Sequence, residues 1–167
     1  GKTLDAEAQR EWQLVQGRVE RICSAGAAAG VPVLVDAEES WMQQAIDDMA
    51  DAMMARFNGT KAIVFNTLQL YRHDRLAFLK ASHAKALAGN YHLGVKLVRG
   101  AYMEKERERA KEMGYPSPIH VDKAAVDHDY DEAVRYCAAH IDRFAVCVGT
   151  HNEQSSLLMA RLMAEKG

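Results

Sequence analysis

The sequence is short of cysteine. Cys23, Cys137 and Cys147 are odd in number and none belongs to a C-x-x-C pair. This argues against a zinc site and suits reduced thiols in a reducing compartment. No apolar run approaches the ~20 residues of a membrane span, and no signal peptide opens the chain. Neither charge sign dominates: 21 Lys and Arg face 23 Asp and Glu, for a net charge of −2. With no basic face along the sequence, nucleic acid is not expected as the main partner. Internal repeats and low-complexity linkers are also missing.

What remains is a composition suited to one soluble globular domain. Of 167 residues, 49% are hydrophobic and 26% charged, enough to bury a core. Four short apolar runs rich in β-branched residues stand out, at 31–35, 62–65, 93–98 and 144–148. They lack alternation, which predicts strands buried on both faces, as in a parallel sheet. Helical stripes lie between them. Trp12, Val15, Val19, Ile22 and Ala25 form the first, with Thr3 as its cap and Gly30-Val-Pro32 as its stop. Met42, Ile46, Met49, Met53 and Phe57 form the second, ended by Asn58-Gly59. Leu76, Leu79, His83 and Leu87 form the third, ended by Gly89. Residues 104–113 read as a short charged helix with Glu106 and Arg109 one turn apart. A Gly-Tyr-Pro-Ser-Pro loop follows. Val126, Tyr130, Ala133, Cys137 and Ile141 form another stripe, and residues 152–163 open the last helix. The order is αβαβαβα, loop, αβα, with each strand–helix–strand unit right-handed.

In parallel α/β folds, ligands sit outside the carboxyl ends of the strands. The residues after each run are therefore the candidates. They are Asp36-Ala-Glu-Glu-Ser, Asn66-Thr-Leu-Gln69, Arg99-Gly-Ala-Tyr102 and Gly149-Thr-His-Asn152. Four polar termini on one rim suggest a site. Plainer roles exist for each: Asp36 or Asn152 as a helix cap, Gln69 or His151 as solvated loop residues, Gly100 as a turn residue. Lys96 stands inside Val95-Lys96-Leu97-Val98, where an unpaired ammonium is costly to bury. It needs an acidic strand neighbour or a chemical role.

The segments "VLVDAEES", "VFNTLQLY", "GVKLVRGAYMEKERERA", "GYPSP" and "GTHNEQS" occur in this order and spacing. Together they resemble the FAD-dependent proline dehydrogenase family, which includes the proline dehydrogenase half of the bifunctional PutA proteins. The resemblance implies part of a distorted (β/α)8 barrel of TIM type with FAD over the carboxyl ends of its strands. It also implies oxidation of L-proline to Δ1-pyrroline-5-carboxylate, with electrons passed to a membrane quinone. The location implied is the bacterial cytoplasm, the face of the inner membrane, or the mitochondrial inner membrane. On this resemblance Asp36, Lys96 and Tyr102 are catalytic candidates. Asp36, Ala37, Gln69, Lys96, Val98, Gly100, Ala101, Thr150, His151 and Asn152 are cofactor-binding candidates. A cation beside the ring would stabilise charge that develops on the flavin.

A complete barrel needs eight strands and about 250 residues, whereas four runs are visible. The family's earlier strand, with a lysine for the Asp36 position, is not found. Nor is its later clamp for the proline carboxylate, a tyrosine with paired arginines. The expectation is a partial barrel over residues 1–167 that turns over no proline by itself. Its open strand edges would be met by self-association or by the missing half. A lysine on a barrel strand also suits a class I aldolase. Asp36 with His151 would suit a metal-dependent hydrolase, which lacks a second histidine and carboxylate. A non-catalytic α/β binding module is the remaining possibility.

Overall fold

The computed structural model describes residues 4–166. Four strands, β1 (Val33–Val35), β2 (Val64–Gln69), β3 (Leu93–Val98) and β4 (Phe144–Val148), form one sheet in chain order. Every neighbouring pair is parallel. Six helices alternate with them: α1 (Ala6–Ala29), α2 (Ser40–Phe57), α3 (Arg75–Gly89), α4 (Met103–Met113), α5 (Lys123–Ala139) and α6 (Glu153–Lys166). The predicted element order is the one observed.

Register determines what each face of the sheet presents, because side chains alternate along a strand. Val35, Asn66, Val95 and Val146 share one row, and Leu34, Phe65, Gly94 and Ala145 share the next. The first face packs on the helices. Its Val64, Leu68, Leu93, Val95, Leu97 and Phe144 join Met54, Leu79, Tyr130 and Cys137 in the main core. The second face is left open by the helices. Leu34 is 43% exposed there, and Cys147 is exposed beside Lys96. Burial on both faces therefore holds for β2 alone, whose six residues are all buried. β1 and β4 are edges, and β3 alternates at Lys96 and Val98.

Several boundaries and stripes differ from expectation. β2 runs four residues beyond the expected 62–65 and takes in Asn66-Thr-Leu-Gln69. These polar residues stay in the strand because they are bonded. Asn66 Nδ2 donates to Asp47, and Thr67 Oγ1 donates to the Val35 carbonyl. The expected cap Thr3 lies outside the described residues. Asp5 caps α1, accepting from the Ala8 amide at 2.8 Å. On α1, Ile22 and Ala25 are exposed and Cys23 and Gly26 are buried. A Cβ on Gly26 would lie 2.5 Å from a Val33 methyl, so glycine lets the helix approach β1. α1 ends at Gly30, left-handed at φ 68°. On α3, Leu87 is exposed and the left-handed terminator is Asn90, one residue past Gly89. Ile141 falls beyond α5 and is exposed.

The largest departure is α2. Its buried side is Gln43, Asp47, Ala50, Asp51, Met53 and Met54, while Met42 faces water. Asp47 is the hub. It accepts from Arg75 Nη1 at 2.7 Å, Gln43 Nε2 at 2.9 Å and Asn66 Nδ2 at 2.8 Å. A buried carboxylate persists only when so paired.

Candidate active site

The carboxyl ends of all four strands open into one cleft of about 690 Å³. That size suits a small-molecule or cofactor site. All eleven residues to which the resemblance gives a role line it: Asp36, Ala37, Gln69, Lys96, Val98, Gly100, Ala101, Tyr102, Thr150, His151 and Asn152; of the other strand-end candidates, Glu39, Ser40, Asn66 and Leu68 do not. Glu38, Thr67, Arg99, Lys123 and Gly149 line it as well.

Lys96 shares a row with Thr67 and Cys147 on the open face. Its ammonium donates to Asp36 Oδ1 at 2.6 Å. The lysine side chain is 27% exposed and that of Asp36 is 71% exposed. Lys96 is therefore not sealed in a doubly buried strand. Period-two alternation turns it toward the cleft, and the acid at the end of β1 answers its charge. The helix-cap role for Asp36 does not occur, because the α2 cap position is Glu39.

Gln69 is buried rather than solvated. Its Nε2 donates to the Glu38 carbonyl at 2.8 Å, and its Oε1 accepts from the Ala101 amide at 3.4 Å. It thus ties the turn after β1 to the turn after β3. Gly100 has φ 132°, and a Cβ there would stand 2.5 Å from the buried Tyr71 ring. Glycine is required on both counts. The Tyr102 hydroxyl donates to Glu38 Oε2 at 2.9 Å. That bond, with burial and with Glu39 and Asp36 nearby, raises the phenol above its ordinary ionisation range.

Arg99 organises the other side. Nη1 donates to Thr150 Oγ1 at 2.5 Å, Nη2 to Ser155 Oγ at 3.1 Å and Nε to Asp127 at 2.8 Å. Its guanidinium lies 4.3 Å from the centre of the Tyr130 ring. Burial of Asp127 favours its neutral form, but hydrogen bonds from Lys123 and Arg99 outweigh this and hold its carboxyl below the ordinary carboxylate range, in the ionised form. Asn152 both lines the cleft and caps α6, its Oδ1 accepting from the Ser155 amide at 3.2 Å. His151 is exposed at the cleft edge. Glu106 and Arg109, one turn apart on α4, do not pair with each other. Glu106 turns to Ser40, and Arg109 covers the Trp41 ring at 4.3 Å.

Glu38 and Arg99 stand among the polar strand ends read as candidates, but the resemblance gives neither of them a role. Position was their signal: each is within two residues of a flagged one on a strand terminus. Lys123 follows a loop and carried no such signal. Among the described residues no group of three or more His, Cys, Asp or Glu is placed to hold a metal ion.

The fold and cleft together define a segment of a parallel (β/α) barrel whose site lies at the carboxyl ends of the strands. The proline dehydrogenase family model matches residues 2–167, and the chain belongs to that family. Mitochondrial proline dehydrogenase 1 of Caenorhabditis elegans is 34% identical, over 99% of this chain and 28% of that protein. A hydroxyproline dehydrogenase of Xenopus laevis is 37% identical, over 90% and 33%. The carbapenem antibiotics biosynthesis protein CarD of Pectobacterium carotovorum is 36% identical, over 93% and 40%. The chain thus spans less than half the length of these relatives. A solved bifunctional proline utilization A (PutA) protein superposes with a TM-score of 0.82 at 26% identity, covering 94% of this chain and 16% of that one. The PutA of Bdellovibrio bacteriovorus gives 0.85 at 24% identity, over 95% and 16%, which speaks to the fold alone. The aldolase and binding-module alternatives are not favoured by this membership.

Proposed function

We propose that the protein containing this chain oxidises L-proline to Δ1-pyrroline-5-carboxylate on a bound FAD and passes the electrons to a membrane quinone. The chain then supplies the middle of a (β/α)8 barrel, in which most of the cofactor's bed lies. The observation that carries this is the ammonium of Lys96, held by Asp36 on the floor of a cleft lined by all the family-matched positions.

The residues present fit a flavin. The cleft offers the fixed cation of Lys96 on the open sheet face, exposed backbone where Gly100 excludes a side chain, and polar groups at the start of α6. Bound there, the flavin would accept the hydride lost from the substrate carbon. Lys96 would supply positive charge where negative charge develops, in a position already fixed by its ion pair. Gln69 and the backbone of residues 98–101 would hold the ring portion, and Thr150, His151 and Asn152 the polar tail. Tyr102 would form an aromatic wall for a small saturated ring, its orientation set by Glu38. Much of the rate would come from positioning.

The mitochondrial and bacterial relatives support a mitochondrial or bacterial setting; delivery of electrons to a quinone would then take place at the membrane surface. No described helix is long and apolar enough to cross a membrane.

The test is the absorption spectrum of the purified full-length protein before and after L-proline, with trans-4-hydroxy-L-proline as the comparison substrate. A flavin band that bleaches with L-proline is expected. A colourless protein, or a band that only hydroxyproline bleaches, overturns the assignment.

A further inference from the structure

We infer that Glu106 is a positioning residue: from α4, its buried carboxylate holds the turn between β1 and α2 so that Glu38 meets Tyr102 across the cleft. Of the four glutamates on α4, Glu104, Glu108 and Glu112 are exposed, and Glu106 is 0% exposed. A carboxylate withdrawn from water is costly unless its oxygens are bonded. Both oxygens of Glu106 go to one residue. Oε1 accepts from the Ser40 amide at 2.6 Å, and Oε2 accepts from the Ser40 hydroxyl at 2.7 Å. Such charge-assisted bonds are the strong ones.

Ser40 is the first residue of α2, and Glu39 at the cap position makes no side-chain cap bond. A carboxylate from a different helix therefore stands in for the cap and meets the positive end of the helix dipole. Its neighbours follow the same line. Glu38 pairs with Tyr102, Glu39 with Lys105, Ser40 with Glu106 and Trp41 with Arg109. Residues 102, 105, 106 and 109 lie on one face of α4 and its first turn. In the Glu39 pair the acid is buried but Lys105 is 60% exposed, so water screens that tie from the lysine side. The two Ser40 bonds pin the turn to α4 itself, beyond the tie that Gln69 makes between the two strand ends. Through them, the segment bearing Asp36 and Glu38 is kept at a fixed reach from Tyr102. Glu106 itself does not line the cleft; it acts through Glu38 and Tyr102.

The first readout needs no flavin. Ionisation of Tyr102 is followed by phenolate absorbance in the flavin-free full-length protein, with the matched Tyr102→Phe protein subtracted. Glu106→Gln keeps both contacts, its amide oxygen accepting from the Ser40 amide and its amide nitrogen donating to the hydroxyl. Tyr102 should then ionise as in the unsubstituted protein. Glu106→Asp is one methylene too short, and Tyr102 should fall back toward the ordinary tyrosine range. Glu106→Ala should do the same; if it does not fold, the aspartate variant decides. An unchanged Tyr102 titration in Glu106→Asp overturns the inference, as does failure of Glu106→Gln to preserve it.

The second readout rests on proline oxidation and uses the full-length flavoprotein. Glu106→Asp should raise KM for L-proline about tenfold, with Glu106→Gln unaffected and no further loss in a Tyr102→Phe background. Additive losses in the double variant overturn the positioning role. If the unsubstituted protein turns over no proline while the titration behaves as described, the proposed function fails and the positioning role stands.

Discussion

Lys96 is fixed by a single ion pair and otherwise looks into an open cleft, so its charge is available to a ligand at modest cost. On the proposed function, replacing it with methionine in the full-length protein is expected to lower the rate of flavin reduction by L-proline about 100-fold, the scale seen when a preorganised charge is removed. Lys96→Arg should retain most of the rate. Stability should change by about 1 kcal/mol or less, because Asp36 is well exposed. Stopped-flow bleaching and urea titration read the two effects, and a normal reduction rate in Lys96→Met removes the lysine from the chemistry. Lys96 was legible in the sequence because an ammonium among valines and leucines is expensive and so asks for a reason. Glu38 and Arg99 were legible as strand-end positions but not in their roles, because acids and bases at loop ends are most often solvated. Their roles come from Tyr102, Thr150 and Ser155, which are distant in sequence.

At the level of elements, α2 and α3 are joined by charge as well as by grease. Asp47 on α2 and Arg75 on α3 are both buried and bonded. Asp47→Ala would leave a buried guanidinium with Asp74 as its remaining acid, at a cost of about 3–5 kcal/mol. A lowered urea midpoint with unchanged slope is expected; an unchanged midpoint would mean that water reaches Arg75. Where α3 meets α5, His83 is buried against Tyr136, His140 and Phe144, with its Nδ1 2.9 Å from the Tyr136 hydroxyl. Burial, then His140 and Arg143, lower its ionisation below the ordinary 6.5, against an opposing pull from Asp142. On acidification the unfolded chain takes the proton first. This contribution is whole above pH 6.5 and is lost as pH falls toward the lowered native value. The thermal midpoint should therefore drop between about pH 7.5 and pH 5, and His83→Phe should flatten part of that drop. Equal slopes for both proteins would exclude His83 as the source.

At the scale of the molecule, β1 and β4 leave unpaired edges and the sheet's second face is open. Exposed edges and apolar positions such as Leu34 favour pairing with another chain. The 167-residue chain alone is expected to self-associate and to reduce no dye with L-proline. Sedimentation at rising concentration checks the first, and a clean monomer throughout would refute it. Element order, the parallel sense of the strands and the four polar strand ends could all be read from sequence. Each follows from local periods and from the right-handed crossover, which need no distant partner. The polar stripe of α2 could not, because Gln43, Asp47 and Asp51 spaced four apart look like a solvated face until Arg75, Lys85 and Asn66 are brought to them. Nor could the pairing of Lys96 with Asp36 in the cleft or the bonds from Ser40 to Glu106. Local sequence determines what each segment can form; which polar groups meet depends on packing, because a buried charge is tolerated only where the fold delivers its partner.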